Sequence, residues 1–446
     1  MSESRPRAAH RLSLADCLAL GVNGIVGSGI FLLPGRLAEV AGLSSIIAFL
    51  VCGALCGVIA LCFAEAAGLF DRSGGPYVYA RAAFGEPLGF AVGWMALASA
   101  VLGMSAVARG LAQAASAFAP ALSEPALQGA AAAAFVLGLG ALNAAGLRAG
   151  AGASNLFSVA KLVPLVLFIA LGLPHVSGAL LFGGGAYAVG SAPALPSFSG
   201  LASAVFIAVF ALSGFEVIPV PPGETADARR TVPISVLASL FGAVALYTLV
   251  QLVAVGTDPA LAGSATPLAD AARIFAGPVG AAAIGVGAVV SMGGYVAGSA
   301  IVVPRYFVAL AEDRLLPAAL ASRSRRTDAP VVAIALTSLL GAGLCAFLDF
   351  NRLVDVTTVA LFCQYVPTCL AVLVLRQRRP AGPPGWRLPW GPAIPLVATA
   401  ASIALVIVAR PGRAELTTAA LYLAAGAIVY GAIRVSRRTR APSPSR

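Results

Sequence analysis

The chain holds a single lysine, Lys161, inside the apolar run FSVAKLVPLVLFIALGL at 157–173; nearly all its other basic side chains are arginines between apolar stretches. An ammonium there is hard to solvate, and unlike a guanidinium it can give up its proton when buried. It can hold backbone carbonyls when charged and release them when neutral. Lys161 lies about eight residues into its segment, roughly 12 Å along a helix, so its stem reaches the segment's end only in part. A second ionisable group, Glu216, lies in FALSGFEVIPVPPGE at 210–224, beside glycine and prolines. Such a buried carboxylate either takes part in function or is tied to backbone. Other chemistry finds little support. His10 and His175 are isolated, and the seven cysteines show no CxxC spacing. No metal site, disulfide framework or cofactor is expected, and no GxxxxGK[ST] stretch exists for a nucleotide. Ser28 and Lys161 form no Ser-Lys dyad that base or oxyanion geometry would support.

Long apolar elements must carry these residues. Of 446 residues 59% are hydrophobic and 11% charged, with mean hydropathy +0.92; a soluble protein carries about 25% charged residues. A polytopic helical membrane protein is expected, because a lipid-exposed backbone must satisfy itself and no alternating barrel pattern occurs. At about 20 residues per span, twelve segments are legible, at 14–34, 43–70, 87–118, 126–145, 153–173, 199–221, 234–256, 279–310, 330–349, 353–375, 390–409 and 416–434. The net charge of +11 is spread over short connectors, and more arginines fall on the side of the N-terminus (Arg72, Arg81, Arg148, Arg314) than opposite (Arg36, Arg273, Arg352). The positive-inside rule then puts both termini in the cytoplasm, with the chain in the plasma membrane. Nucleic acid is not an expected partner. No cleavage site follows the basic N-terminus, and 435–446 reads as a basic tail near anionic lipid.

Two segments are interrupted, GVNGIVGSGIFLLPG at 21–35 and FALSGFEVIPVPPGE at 210–224. They are the first and sixth segments, the opening members of two five-helix units. Matching interrupted spans in two halves point to a transport site. Packing glycines could explain the first alone. An unwound stretch frees backbone groups that must face protein, water or ligand. The half-helix after a break offers N–H groups to a carboxylate, and the half before it offers carbonyls to an ammonium. One site with both ends binds a zwitterion such as an α-amino acid.

GSGIF at 27–31, SGGPYVYARAAFGEPLGFAVGW at 73–94, FALSGFE at 210–216, GETADARRTVP at 223–233, PRYFVALAEDRLLP at 304–317 and RLPWGPAIPL at 387–396 resemble motifs of the amino acid–polyamine–organocation (APC) family of secondary transporters. The resemblance implies an all-α fold of about twelve transmembrane helices. Its core would be a 5+5 inverted repeat (LeuT-like), with repeats at 14–173 and 199–376, two further helices at 390–434 and tails at 1–13 and 435–446. It implies alternating access without ATP. It places the carboxylate turn at Ser28 and Gly29, flanked by Ile25 and Gly27. The sixth-helix break falls at Ala211, Leu212 and Gly214, an aromatic gate at Phe210, and a small residue, Ser299, where many members carry tryptophan. Lys161, with Ser291 opposite, takes the place of a sodium ion in related folds, so no sodium requirement is expected. Glu216 is a further coupling candidate, and Glu224 and Arg229 fall at the cytoplasmic gate, although Asp227 and Ala228 replace the family's usual Asn-Pro. Glu65 reads as structural, and Arg109 has no partner legible in the sequence. A small or medium neutral amino acid is favoured, since only Glu216 is acidic near the breaks. An amine or polyamine, a sensor role, proton symport and exchange all stay open, as does the oligomeric state.

Overall fold

A computed structural model describes residues 13–70, 74–146, 161–182, 197–217, 228–378 and 390–440, and among them the regular structure is all helix. The helices make twelve spans. Span 1 has two pieces, Leu14–Ile25 and Gly29–Ala41. Spans 2 to 6 are Ser45–Ala67, Glu86–Ala115, Pro125–Ala144, Leu162–Gly172 and Phe198–Leu212. Spans 7 to 12 are Ala228–Thr257, Pro267–Val302, Val331–Phe347, Phe350–Arg378, Ala393–Ala409 and Arg413–Arg440. Two connecting helices, Pro76–Phe84 and Pro304–Glu312, lie on the face that carries the start of span 1.

The spans pack by apolar and small side chains. Span 1 packs on span 6, span 2 on span 7 and span 4 on span 9, each meeting the span five places on. Two intertwined five-helix units give that pattern. Span 3 is central, with 83% of its most apolar stretch buried, whereas in span 12 only 11% is. All seven cysteines are free.

Local chemistry sets the ends. Ser13 opens span 1 with a capping box: its Oγ accepts from the Asp16 N–H at 3.2 Å, and the Asp16 carboxylate accepts from the Ser13 N–H at 2.9 Å. Span 8 starts near the expected 279 and ends before the expected 310. Gly277 (φ 64°, ψ −165°) is non-helical and divides Pro267–Val302 into two helices, the second opening at Pro278. Residues 304–312 form a separate helix. The expected first half of span 5 lies largely outside the described residues, and Lys161 directly precedes the described helix.

Glu65 of span 2 is 1% exposed, and Arg376 of span 10 donates to both its oxygens at 2.6 Å. Glu65→Ala leaves a guanidinium without its counter-charge. The expected loss is about 3–5 kcal/mol, read as a lower unfolding midpoint in detergent; an unchanged midpoint would contradict a structural role for the pair.

Candidate functional site

The breaks of spans 1 and 6 cross each other. Span 1 stops at Ile25 because Val26 turns extended (ψ 90°), and helix resumes at Gly29. Span 6 stops at Leu212, and Ser213 (ψ 163°) and Gly214 (φ 110°) carry the chain into a short turn, Phe215–Val217. A Cβ on Gly29 would lie 2.6 Å from Ala211 Cα, and one on Gly214 would lie 2.2 Å from the Gly24 carbonyl oxygen. Only glycine permits this approach, and Gly214 also needs its positive φ.

The end of the first half-helix is held by two side chains. Lys161 is fully buried, and its Nζ donates to the Val26 carbonyl at 2.8 Å, Asn23 Oδ1 at 2.7 Å and the Asn23 carbonyl at 3.3 Å. Tyr247 of span 7 donates to the Ile25 carbonyl at 3.1 Å. A cation on these carbonyls matches the negative end of the half-helix. The second half-helix starts at Gly29, and its first N–H groups have no acceptor within the helix. Ser28 Oγ is buried there with no hydrogen-bond partner among the described residues. This end suits an anion.

Both breaks line one cavity of about 300 Å³, the lower end of the range for small-molecule sites. Span 3 supplies Ser99 and Gly103, span 8 supplies Tyr295 and Ser299, and span 10 supplies Thr357 and Gln364. Among the described residues Glu216 is its one charged lining side chain. That carboxylate already accepts from the Gly214 N–H at 2.8 Å and from Tyr365 Oη at 3.1 Å. It holds the open turn of span 6 and meets span 10 from the same oxygen.

The cavity runs past Leu20 and Tyr306 toward the face where span 1 begins. On the opposite side Phe210 stands edge-on to Phe350 at 6.4 Å. Beyond it Arg36 of span 1 pairs with Asp355 of span 10 at 2.7 Å and also donates to the Asn351 carbonyl. On the N-terminal face Arg81 pairs with Asp313 at 2.7 Å, and Tyr77 donates to the same oxygen at 2.6 Å. Burial, then Asp313, push the Tyr77 phenol above its usual range, so it stays a donor.

Ile25, Gly27, Ser28, Gly29, Phe210, Ala211, Gly214, Glu216 and Ser299 therefore meet in one cavity. Leu212 is fully buried and is not among its lining residues. Lys161 acts on the break from behind the cavity wall. Ser291 is buried, its Oγ without a hydrogen-bond partner among the described residues, and does not line the cavity either. Glu224 lies outside the described residues, and Arg229 is described only as helix backbone. Arg109 donates to the Pro125 carbonyl at 3.0 Å, joining spans 3 and 4.

Sequence reading missed Asn23, Tyr247, Tyr295 and Tyr365. Asn23 carried a signal, as a lone amide one turn before the glycine break. The tyrosines look like core aromatics until the fold brings the hydroxyls of Tyr247 and Tyr365 and the ring of Tyr295 to the breaks.

The amino acid permease family model matches residues 12–433. The methylthioribose transporter of Bacillus subtilis (strain 168) is 26% identical over 440 residues, covering 95% of this chain and 93% of that protein. The vacuolar cationic amino acid transporter 4 of Arabidopsis thaliana is 27% identical over 393 residues, covering 84% of this chain and 65% of that protein. The crystal structure of MhsT in complex with L-phenylalanine superposes with a TM-score of 0.61 at 16% identity, covering 89% of this chain and 98% of that one. The broken-helix fold is shared with MhsT, and with the family model spanning nearly its whole length, this multi-pass membrane chain belongs to the amino acid permeases of the APC family of transporters.

Proposed function

We propose that the chain is a secondary active amino acid transporter of the plasma membrane, with both termini cytoplasmic. It works by alternating access, without sodium, as a proton-coupled symporter or an exchanger. The observation that carries this reading is the crossing of two helix breaks on one cavity, with Lys161 fixed on the carbonyls of the first. The α-carboxylate docks on the N–H groups and hydroxyl at Ser28 and Gly29. The α-ammonium docks on the carbonyls ending span 6 at Ala211 and Leu212. Lys161 Nζ already occupies the carbonyl and amide oxygens that a bound sodium would need. Ser291 lies on the helix across from it in this reading, and Glu224 and Arg229 belong to the cytoplasmic gate. The repeats are 14–173 and 199–376.

A neutral side chain is supported by the state of Glu216, whose Oε2 is committed to Gly214 and Tyr365. The two relatives carry names for different cargoes, so the names alone do not choose. The second reading is an amine or polyamine substrate, which would use the carbonyl end of the site without the N–H end at Gly29. Amino acid binding without binding of its decarboxylated amine separates the two.

The test is uptake of labelled amino acids into proteoliposomes in sodium-free buffer, with and without an inward pH gradient. Accumulation that follows the gradient supports symport, and flux only into preloaded vesicles supports exchange. No flux of any amino acid would overturn the reading. The closed side of the cavity, where Arg36–Asp355 lies beyond Phe210 and Phe350, is read as the second gate and makes its own prediction. Asp355→Asn removes the charge that holds Arg36, a partly exposed pair worth up to about 1 kcal/mol. Transport should persist, and a thiol placed at Phe350 should react several-fold faster from the far side; equal reactivity would remove Arg36–Asp355 from the gate.

A further inference from the structure

Spans 5 and 8 diverge on the outside of the bundle and leave an apolar groove of about 650 Å³. Its walls are Leu167 and Leu171 from span 5 and Ala276, Val279 and Ala283 from span 8. Leu171 is 53% and Val279 81% exposed, so the groove opens sideways to the membrane. Packing holds it open. Pro164 sits where a Cβ on Gly287 would be, 2.5 Å away, and Phe168 meets Phe275 edge-on at 5.4 Å. His175 stacks on Phe275 at 5.9 Å and closes one end. The kink at Gly277 bends span 8 beside that end.

We propose that this groove holds one acyl chain of an anionic phospholipid, whose phosphate rests on Arg273. The walls offer no partner to a polar ligand. A spanning helix, about 10 Å across and 30 Å long, displaces several times the groove's volume, whereas a methylene chain fits a narrow slot. Charge selects the head group. Arg273 is exposed, on the same helix and between the lining residues Ala272 and Phe275. The acid nearest to it in that helix, Asp270, is already taken by Ser264 at 2.6 Å and Thr266 at 3.2 Å. Among the described residues Arg273 makes no ion pair, and a basic side chain at a bilayer surface draws anionic lipid. The chain so bound is wedged against span 5 one turn beyond Lys161.

The test is native mass spectrometry of the full chain in detergent, titrated with dioleoyl phosphatidylglycerol or dioleoyl phosphatidylcholine. It needs no transport and so stands apart from the proposed function. One phosphatidylglycerol is expected to stay bound under conditions that strip phosphatidylcholine. Arg273→Gln should lower its affinity about fivefold and leave phosphatidylcholine unchanged. Ala283→Leu, on the exposed face, should fill the slot and reduce occupancy by either lipid. Equal binding of the two lipids, a silent Arg273→Gln or a silent Ala283→Leu overturns the proposal, as does a co-purified polypeptide that neither lipid displaces.

Discussion

Gly29→Val should weaken substrate binding by one to two orders of magnitude and stop transport while the protein still inserts and stays monodisperse. The first added carbon would already lie 2.6 Å from both Ala211 Cα and Cβ. Backbone stands on the far side of that contact, so no side chain can swing away. The two breaks must part. Overpacking of this kind costs about 1–3 kcal/mol, and here it falls on the turn that presents N–H groups to the carboxylate. Affinity should drop by one to two orders of magnitude, measured by binding in detergent. Gly138→Ala is the control, because nothing lies within 4 Å of its added carbon. Unaltered binding by Gly29→Val would mean the carboxylate does not dock at this turn.

Lys161→Ala should also stop transport, for a different reason. It strips donors from the Val26 and Asn23 oxygens and removes the amine bonded to the end of the first half-helix. A hydrogen bond from a charged donor is worth about 1.5–3 kcal/mol, and three are lost together. Flux should fall at least tenfold, with insertion retained. Lys161→Met keeps the bulk and loses the donors; it should fail as well, which separates the donors from the packing. Near-normal flux in either variant would return Lys161 to a structural role.

Much of the site was readable before the fold was known, because its parts are local. Glycine-rich breaks and an out-of-place charge show in a string of residues. The bilayer sharpens them, since backbone cannot be left open there without cause. Other features were not readable, because they are long-range. That Gly24 faces Gly214, or that Tyr247 reaches Ile25, depends on how spans cross. Span 8 was legible at one end only. Gly277-Pro278 marks the break from which its longer half starts, whereas its end before Pro304 was read too late. Glu216 was visible as a charge, but not as one already bonded to the turn before it and to Tyr365.

The isolation of Lys161 has a use in chemistry outside transport. The chain carries one side-chain amine, and it is buried against the first break. A water-soluble amine-directed reagent, with the N-terminus blocked beforehand, therefore has one place to react. It can reach that place only when the seam between spans 1 and 5 opens. The labelled fraction after a fixed time becomes a clock for that opening, in the unaltered protein and without an engineered probe. A cargo that pins the seam shut slows the clock, and a cargo that draws it open speeds it.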